Sequence, residues 1–253
     1  MKKIVSGSIE EQAKTAAEII ASYVKKKPNA LLCLAAGDTP TETYAWMARM
    51  QREGLVDFRD CRLIGLDEWA GLDENTEGGC IKYIIDHVVK PLGLKKENVV
   101  FFDACSEDLD EECARVNKYL AAEGPIDVSL MGVGMNGHIA LNEPGCDFNS
   151  TAHTVLLDPI TVKVAQKYFQ KPTPVTQGIT LGMKQIWDSR VLVVIANGKK
   201  KQAIMHTSMY GEVTNAVPAS ALQNHPNCIV SLDTAADSAA DWDLDSAIGD
   251  KGE

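Results

Sequence analysis

The amino-acid sequence predicts an α/β fold: one doubly wound, mainly parallel β-sheet of Rossmann-like type, with helices on both faces and a small lid segment. Three observations support this prediction. Short apolar runs alternate with segments of helical period, the 253 residues are 45% hydrophobic and can bury a sizeable core, and no repeat or linker interrupts the order before residue 233. We expect a single domain over residues 1–232 and an acidic, flexible tail over residues 233–253.

The strands are predicted from apolar runs, which are typical of parallel strands buried on both faces. The runs cover residues 30–35, 62–66, 99–103, 126–131, 153–157, 191–196 and 227–232. Between them, apolar residues at intervals of three and four predict amphipathic helices over residues 10–26, 41–52, 80–89, 108–122 and 200–209. Residues 145–177 are less regular and contain three prolines, so we expect a lid or an excursion beside the sheet there.

The composition excludes several classes of protein. With 25 basic and 35 acidic residues the formal charge is −10, which argues against binding nucleic acid through the overall field. No apolar run approaches the roughly 18 residues of a membrane span. The seven cysteines form no Cys-x-x-Cys pair and the five histidines are dispersed. We therefore expect reduced thiols, a cytoplasmic protein, no metal and no cofactor.

In an open parallel sheet, ligands bind outside the carboxyl ends of the strands, so the residues after each apolar run are the first candidates for a site. After the first run, Gly37 permits a tight turn, and Thr39 and Thr41 offer hydroxyls where a helix begins. This combination suits a phosphate. A plain turn capped by Asp38 or Thr39 is the alternative, and the Asp38 carboxylate would repel an anion.

Two adjacent acids, Asp67 and Glu68, follow the second run. A partly buried carboxylate at such a strand end can abstract a proton next to a carbonyl. Paired acids are also common as solvated loop charges, and the pattern leaves both interpretations open.

The run that ends at residue 131 is followed by glycines at positions 132, 134 and 137, in the spacing of a dinucleotide-binding loop. Such a loop needs a helix to begin at the third glycine, and this segment is interrupted within eight residues by Asn142 and Pro144. The flexible backbone instead presents His138, with Glu143 five residues later as a carboxylate that could hold its ring in one tautomer. The pattern favours a proton shuttle over a structural histidine.

Three lysines, Lys199, Lys200 and Lys201, follow the run at residues 191–196, where a helix begins. Cations at a helix N-terminus oppose its dipole by up to about 1 kcal/mol each. An anionic ligand would explain them, and a solvated basic turn is the alternative.

Together the four strand ends resemble one family, the glucosamine-6-phosphate deaminases, also called hexosamine-6-phosphate isomerases. The resemblance extends from about residue 30 to residue 232, and its most specific pieces are GHIALNEP over residues 137–144 and LDEW over residues 66–69. Trp69 and residues 174–182 resemble the galactosamine-6-phosphate branch. The related 6-phosphogluconolactonases share the Gly-His and then typically continue differently.

The resemblance implies a reaction without a metal or cofactor, in which a hexosamine 6-phosphate and water give a ketohexose 6-phosphate and ammonia. In this deaminating isomerisation, of hydrolase type overall, Asp67 would move a proton between C2 and C1 of the open-chain sugar. His138, oriented by Glu143, would open the ring. The residues expected to bind the substrate are Gly37, Asp38, Thr39, Thr41, Glu68, Gly137 and Lys201.

Two positions depart from the family. Asn136 stands where deaminases of glucosamine 6-phosphate usually have Asp, and its amide cannot take a proton at neutral pH. We count Asn136 with the catalytic residues. Asp38 occupies a position that usually holds Gly, Ser or Ala, and Lys167 is the nearest basic residue to the lid arginine that the family uses for phosphate.

We expect a cytosolic hexosamine-6-phosphate deaminase and isomerase of amino-sugar breakdown, of the galactosamine type or of unassigned specificity. A 6-phosphogluconolactonase, which would use His138 with little need for Asp67, is the first alternative. A non-catalytic sensor of sugar phosphates, suggested by Asn136 and Asp38, is the second. The expected partner is a small sugar phosphate, and we expect a homo-oligomer because oligomers are common in the family.

Overall fold

The computed structural model describes residues 1–237. Its centre is a seven-stranded sheet that consists of β1 (Lys2–Ser6), β2 (Leu31–Leu34), β3 (Arg62–Ile64), β5 (Val99–Val100), β6 (Val128–Gly132), β9 (Val191–Ala196) and β10 (Cys228–Asp233). The strands lie in the order β1-β10-β9-β6-β2-β3-β5, and every pair of neighbours is parallel. The prediction of a mainly parallel sheet is confirmed.

Alternate residues of the same strands bury the two faces of this sheet. In β2, Leu31 and Cys33 pack into one hydrophobic cluster, and Leu32 and Leu34 pack into the cluster on the opposite face. The helices on the side of Leu32 are α1 (Ile9–Lys26), α2 (Thr41–Arg52) and the continuous run of α3 (Cys80–Ile84), a π-helical turn (Ile85–Val89) and α4 (Lys90–Leu92). Those on the other side are α5 (Leu109–Glu123), α7 (Met183–Trp187) and α8 (Gln202–Tyr210). The sheet is therefore doubly wound.

A second sheet of three antiparallel strands was not predicted. It has the order β4-β8-β7 and consists of β4 (Asp67–Trp69), β7 (His153–Leu156) and β8 (Gln177–Thr180). The apolar run at residues 153–157 predicts a strand of the main sheet, and this prediction is wrong, since β7 pairs with β8 in the small sheet. An apolar run predicts a buried strand but does not indicate which strand it pairs with. The irregular segment over residues 145–177 contains β7, α6 (Pro159–Ala165) and a 3-10 turn (Gln166–Tyr168). A separate small hydrophobic cluster, which includes Trp69, Leu157 and Ala165, joins α6 to this sheet.

Both ends of the described chain differ from the prediction. Strand β1 was missed because two of its five residues are lysines and it lies half-exposed at the edge of the sheet. At the other end, β10 extends to Asp233 and Ala236 is fully buried, so packing continues beyond the predicted boundary at residue 232. The rest of the predicted tail, residues 238–253, lies outside the described residues. Over residues 1–237, no helix combines the length and the apolar character that crossing a membrane requires.

Candidate active site

Four neighbouring strands, β9-β6-β2-β3, are those after which the sequence places candidate chemistry. Because they are parallel, the segments that follow them meet at one edge of the sheet. A cavity of about 400 Å³ opens at this edge. It is lined by six of the predicted residues: Gly37, Asp38, Thr39, Asp67, His138 and Lys201. Five others do not line it: Thr41, Glu68, Asn136, Gly137 and Glu143.

Asp67 is the first residue of β4, and its main chain pairs with Thr180 of β8. Its side chain is buried, since the residue is only 9% exposed. Burial raises the pKa of Asp67 to about 6, against a hydrogen bond from the Cys80 thiol and the attraction of His138, which both lower it. The carboxylate is therefore ionised at neutral pH, and its pKa is near enough to neutral pH for the group both to take and to return a proton.

Glu68 was predicted to bind the substrate, but it does not line the cavity. Successive side chains of a strand point to opposite faces, so Glu68 faces away from Asp67. Its fully buried carboxylate accepts hydrogen bonds from the backbone N–H groups of Trp69 at 2.8 Å, Cys80 at 3.0 Å and Ile81 at 2.7 Å. Burial raises the pKa of Glu68 to about 7, although these three N–H groups lower it. Glu68 thus anchors the N-terminus of α3 to β4.

His138 is held by three side chains. Glu143 Oε2 lies 3.4 Å from His138 Nδ1, and the Thr161 hydroxyl lies 3.2 Å from the same nitrogen. Asn136 Nδ2 donates to Glu143 Oε2 at 2.9 Å, and Asn136 Oδ1 accepts the backbone N–H of His138 at 3.2 Å. Burial alone would raise the pKa of Glu143, but the hydrogen bonds from His138, Thr161 and Asn136 outweigh it and lower the pKa to about 2. A permanently ionised Glu143 therefore faces Nδ1 of the imidazole.

Asn136 does not line the cavity, and the structure places its amide against Glu143, the carboxylate that faces His138. Gly137, predicted to bind substrate, is a turn residue with φ +85° whose carbonyl accepts the N–H of Ala219 at 2.8 Å. At Gly134, a β-carbon would overlap the imidazole of His138. The glycines after β6 thus place the histidine and its partners.

Lys201 approaches from the end of β9, and its ammonium donates to the carbonyl of Val133 at 2.5 Å. Burial, together with repulsion from Lys167, lowers the pKa of Lys201 to about 8.

Nearby, α2 begins at Thr41 and no side chain caps its N-terminus, so neither Asp38 nor Thr39 acts as the cap. The Thr41 hydroxyl instead donates to the carbonyl of Gly37 at 3.2 Å. Two lysines and an uncapped helix N-terminus form the positive side of the cavity.

Sequence reasoning did not assign two lid residues and Thr161. Lys167 and Tyr168 lie on the 3-10 turn after α6 and line the cavity, with Lys167 Nζ only 2.6 Å from Asp38 Oδ2. The sequence already points to Lys167 as the basic residue nearest to the lid arginine of the family, without assigning it to the site. Thr161 carried no signal, because nothing in its local sequence connects it to a histidine 23 residues earlier.

Residues 6–230 match the model of a protein family described as glucosamine-6-phosphate isomerases and 6-phosphogluconolactonase. The chain is 38% identical to glucosamine-6-phosphate deaminase 2 of Giardia intestinalis over 219 aligned residues. The alignment covers 86% of this chain and 83% of that protein. It is 31% identical to a monomeric glucosamine-6-phosphate deaminase of known structure, with a TM-score of 0.90 over 93% of this chain and 98% of the other. A 6-phosphogluconolactonase from Trypanosoma brucei shares the fold at 20% identity, with a TM-score of 0.73 over 93% and 97% of the two chains.

Proposed function

This chain belongs to the family of glucosamine-6-phosphate isomerases and 6-phosphogluconolactonases, and we propose that it is an enzyme that isomerises and deaminates a hexosamine 6-phosphate. The products are a ketohexose 6-phosphate and ammonia. One observation carries the proposal: the buried carboxylate of Asp67, the His138–Glu143 pair and Lys201 converge on a single cavity. A base, a ring-opening acid and a phosphate anchor are the three groups that this reaction needs.

Asp67 is proposed to transfer the proton. In the open-chain sugar, C1 is an aldehyde and C2 carries the amine and one hydrogen. The carboxylate takes this hydrogen as a proton, the aldehyde oxygen takes a proton from the amine in its ammonium form, and a neutral enolamine with a hydroxyl at C1 forms. Return of the proton from Asp67 to C1 leaves a protonated imine at C2. Water hydrolyses the imine to the ketone and ammonia. The raised pKa of Asp67, about 6, suits both halves of the transfer.

His138 is proposed to open the sugar ring. The negative charge of Glu143 lies 3.4 Å from Nδ1, which favours the tautomer with the proton on Nδ1 and leaves Nε2 as the free base. This nitrogen can take the proton of the C1 hydroxyl and deliver it to the ring oxygen. Asn136 supports this role by donating to the same Glu143 oxygen, so that the amide keeps the carboxylate in place.

Lys201, Lys167 and the loop of Gly37 and Thr39 are proposed to bind the phosphate. The loop precedes the uncapped N-terminus of α2, whose N–H groups and dipole favour an anion. Binding energy from this remote group holds C2 of the sugar against Asp67.

The test is ammonia release by the purified protein from glucosamine 6-phosphate and galactosamine 6-phosphate side by side, with 6-phosphogluconolactone hydrolysis measured in parallel. We expect release from at least one hexosamine and loss of that release in both Asp67→Asn and His138→Ala. Lactone hydrolysis that survives Asp67→Asn but not His138→Ala would make the protein a lactonase. Binding of sugar phosphates without any turnover would make it a sensor, and either result would overturn the proposal.

The assay also decides the epimer. The galactosamine type is supported by Trp69 and by residues 174–182, which include β8. The relatives reported above are glucosamine-6-phosphate deaminases. The proposal therefore includes both epimers.

A single domain, which starts at residue 1 and extends past the predicted boundary at residue 232 to at least Ala236, and a cytoplasmic location are also proposed. All seven cysteines lie within the described residues and none forms a disulfide, which supports a reducing compartment. The expected homo-oligomer stays a prediction, for which size-exclusion chromatography with light scattering is the test, since one relative is a monomer.

A further inference from the structure

We propose that Asp38 is a built-in counterion of the lid, whose carboxylate holds Lys167 and competes with the phosphate of the substrate for that lysine. The inference depends on the proposed phosphate site and identifies a residue that sets its affinity. It also gives a role to the acid in the phosphate loop, which the reaction itself does not use.

The pairing joins two distant parts of the chain. Lys167 Nζ lies 2.6 Å from Asp38 Oδ2, and the two residues are 129 positions apart in the sequence. Asp38 belongs to the loop after β2, and Lys167 belongs to the 3-10 turn after α6. Both residues line the cavity. The ion pair therefore ties the lid to the loop at the place where a phosphate is expected.

Neighbouring residues of the lid seat Lys167 in this position. The hydroxyl of Tyr168 packs over Gly37, where a β-carbon would come within 3.1 Å of it. The ring of Phe169 packs in the same way over Gly78. The ammonium of Lys167 also lies 4.7 Å from the centroid of the Tyr168 ring. The packing of Tyr168 and Phe169 thus holds the turn that carries Lys167 next to Asp38.

The charges around Lys167 favour the binding of a phosphate in competition with Asp38. Lys201 lies close enough for its ammonium to be repelled by that of Lys167, and over residues 1–237 its hydrogen-bond partner is the neutral carbonyl of Val133. The two ammonium groups together match the charge of a phosphate dianion, whereas with the Asp38 carboxylate present the three groups sum to only +1. The Asp38 carboxylate subtracts from this attraction in two ways, because it occupies Lys167 and repels the dianion.

The expected effect is moderate because the pair is accessible to water. The side chains of Lys167 and Asp38 are 49% and 72% exposed. Measured coupling of exposed ion pairs corresponds to roughly 1.4- to fivefold in an equilibrium constant, and removal of the Asp38 charge also removes its repulsion of the dianion. Replacing Asp38 by its neutral isostere should therefore tighten phosphate binding by about two- to fivefold.

The experiment compares Asp38→Asn with the wild type by titration calorimetry at pH 7 and low salt. The probes are inorganic phosphate and glucitol 6-phosphate, which has no carbonyl and cannot react. The matched control is Asp188→Asn, which removes the same charge from an exposed pair with Lys184, also 2.6 Å long, outside the cavity. We expect a two- to fivefold lower Kd in Asp38→Asn, no change in Asp188→Asn, and a smaller difference at 0.5 M NaCl because salt screens exposed charges.

A second background separates competition for the lysine from simple repulsion. In Lys167→Gln, the additional change Asp38→Asn should have less effect than in the wild type. An equal effect in both backgrounds, or unchanged or weaker binding in Asp38→Asn, overturns the inference. A wild-type protein that binds glucitol 6-phosphate but releases no ammonia contradicts the proposed function and leaves this inference standing, whereas one that binds no phosphate compound overturns both.

Discussion

At the scale of single residues, Asp67 and Glu68 show how adjacent carboxylates acquire different roles. Asp67 faces the cavity, with the Cys80 thiol as a hydrogen-bond donor, whereas Glu68 accepts three backbone N–H groups on the opposite side of β4. Burial raises the pKa of both groups. Because side chains alternate along a strand, the Asp67 carboxylate faces the cavity and the Glu68 carboxylate stabilises the fold.

Asp67→Asn is predicted to abolish turnover and to stabilise the protein at neutral pH. The pKa of Asp67 is about 6 in the folded state against an ordinary 3.8, so the folded state binds more protons between these values and stability falls as pH rises from about 4 to 6. Above pH 6 the buried charge costs about 3 kcal/mol, which the neutral amide removes. Urea unfolding at pH 7.5 should show the stabilisation, and at pH 4.5 most of it should be gone.

The pH dependence of catalysis provides a second readout for Asp67. Because the base must be ionised, kcat/KM of the wild type should fall about tenfold per unit below pH 6. Asp188→Asn, which neutralises an exposed acid, should change neither the profile nor the stability. Turnover retained in Asp67→Asn would refute the assignment of the base.

At the scale of elements, short segments build the walls of the cavity. The three-residue strand β4 holds Asp67, and the N-terminus of the five-residue helix α3 supplies Cys80 beside it. Neither element is long enough to be stable alone. The carboxylate of Glu68 joins them, so the position of Cys80 depends on that one buried side chain.

Glu68→Ala is predicted to destabilise the protein by about 3 kcal/mol, because it leaves three buried N–H groups without their acceptor. Glu68→Gln should lose less, since its amide oxygen still accepts. Glu74→Ala, at an exposed position of the same loop, should stay within about 0.5 kcal/mol of the wild type. Chemical denaturation of the three variants tests this, and equal stabilities would show that the anchor contributes nothing.

At the scale of the whole molecule, the site exists only where several units meet. The main sheet contributes the loops after β2, β6 and β9, the small sheet contributes Asp67, and the lid contributes Lys167. A ligand that contacts all three binds the folded state and has no such site on the unfolded chain. Binding should therefore stabilise the protein globally.

Glucitol 6-phosphate at one hundred times its Kd is predicted to raise the free energy of unfolding by about 2.7 kcal/mol. For a chain of this length, the melting temperature should rise by roughly 5 to 10 °C, which differential scanning calorimetry can measure. Glucitol without the phosphate should have little effect, and Lys201→Gln should weaken the response. Equal stabilisation by the two compounds would show that the phosphate is not the anchor.

Regular elements were predictable where the local pattern is strong. The 18-residue helix α1 and the 12-residue helix α2 appear at the predicted positions, and β9 coincides with its apolar run. The small sheet was not predictable, because three- and four-residue strands carry little periodicity and the pairing of β4 with β8 joins residues more than a hundred positions apart. The edge strand β1 escaped detection because half-exposed lysines obscure its pattern.

The sequence by itself determined the alternation of strands and helices, and hence the edge at which Gly37, His138 and Lys201 meet, because parallel strands bring their carboxyl ends together. Only the tertiary structure decided which of two adjacent acids faces the cavity, that Asn136 donates a hydrogen bond to Glu143, and that Asp38 pairs with Lys167. The physical reason is one of range. Periodicity records the burial of each residue in its own element, whereas charge pairing, orientation and pKa depend on side chains that the fold brings from distant parts of the chain.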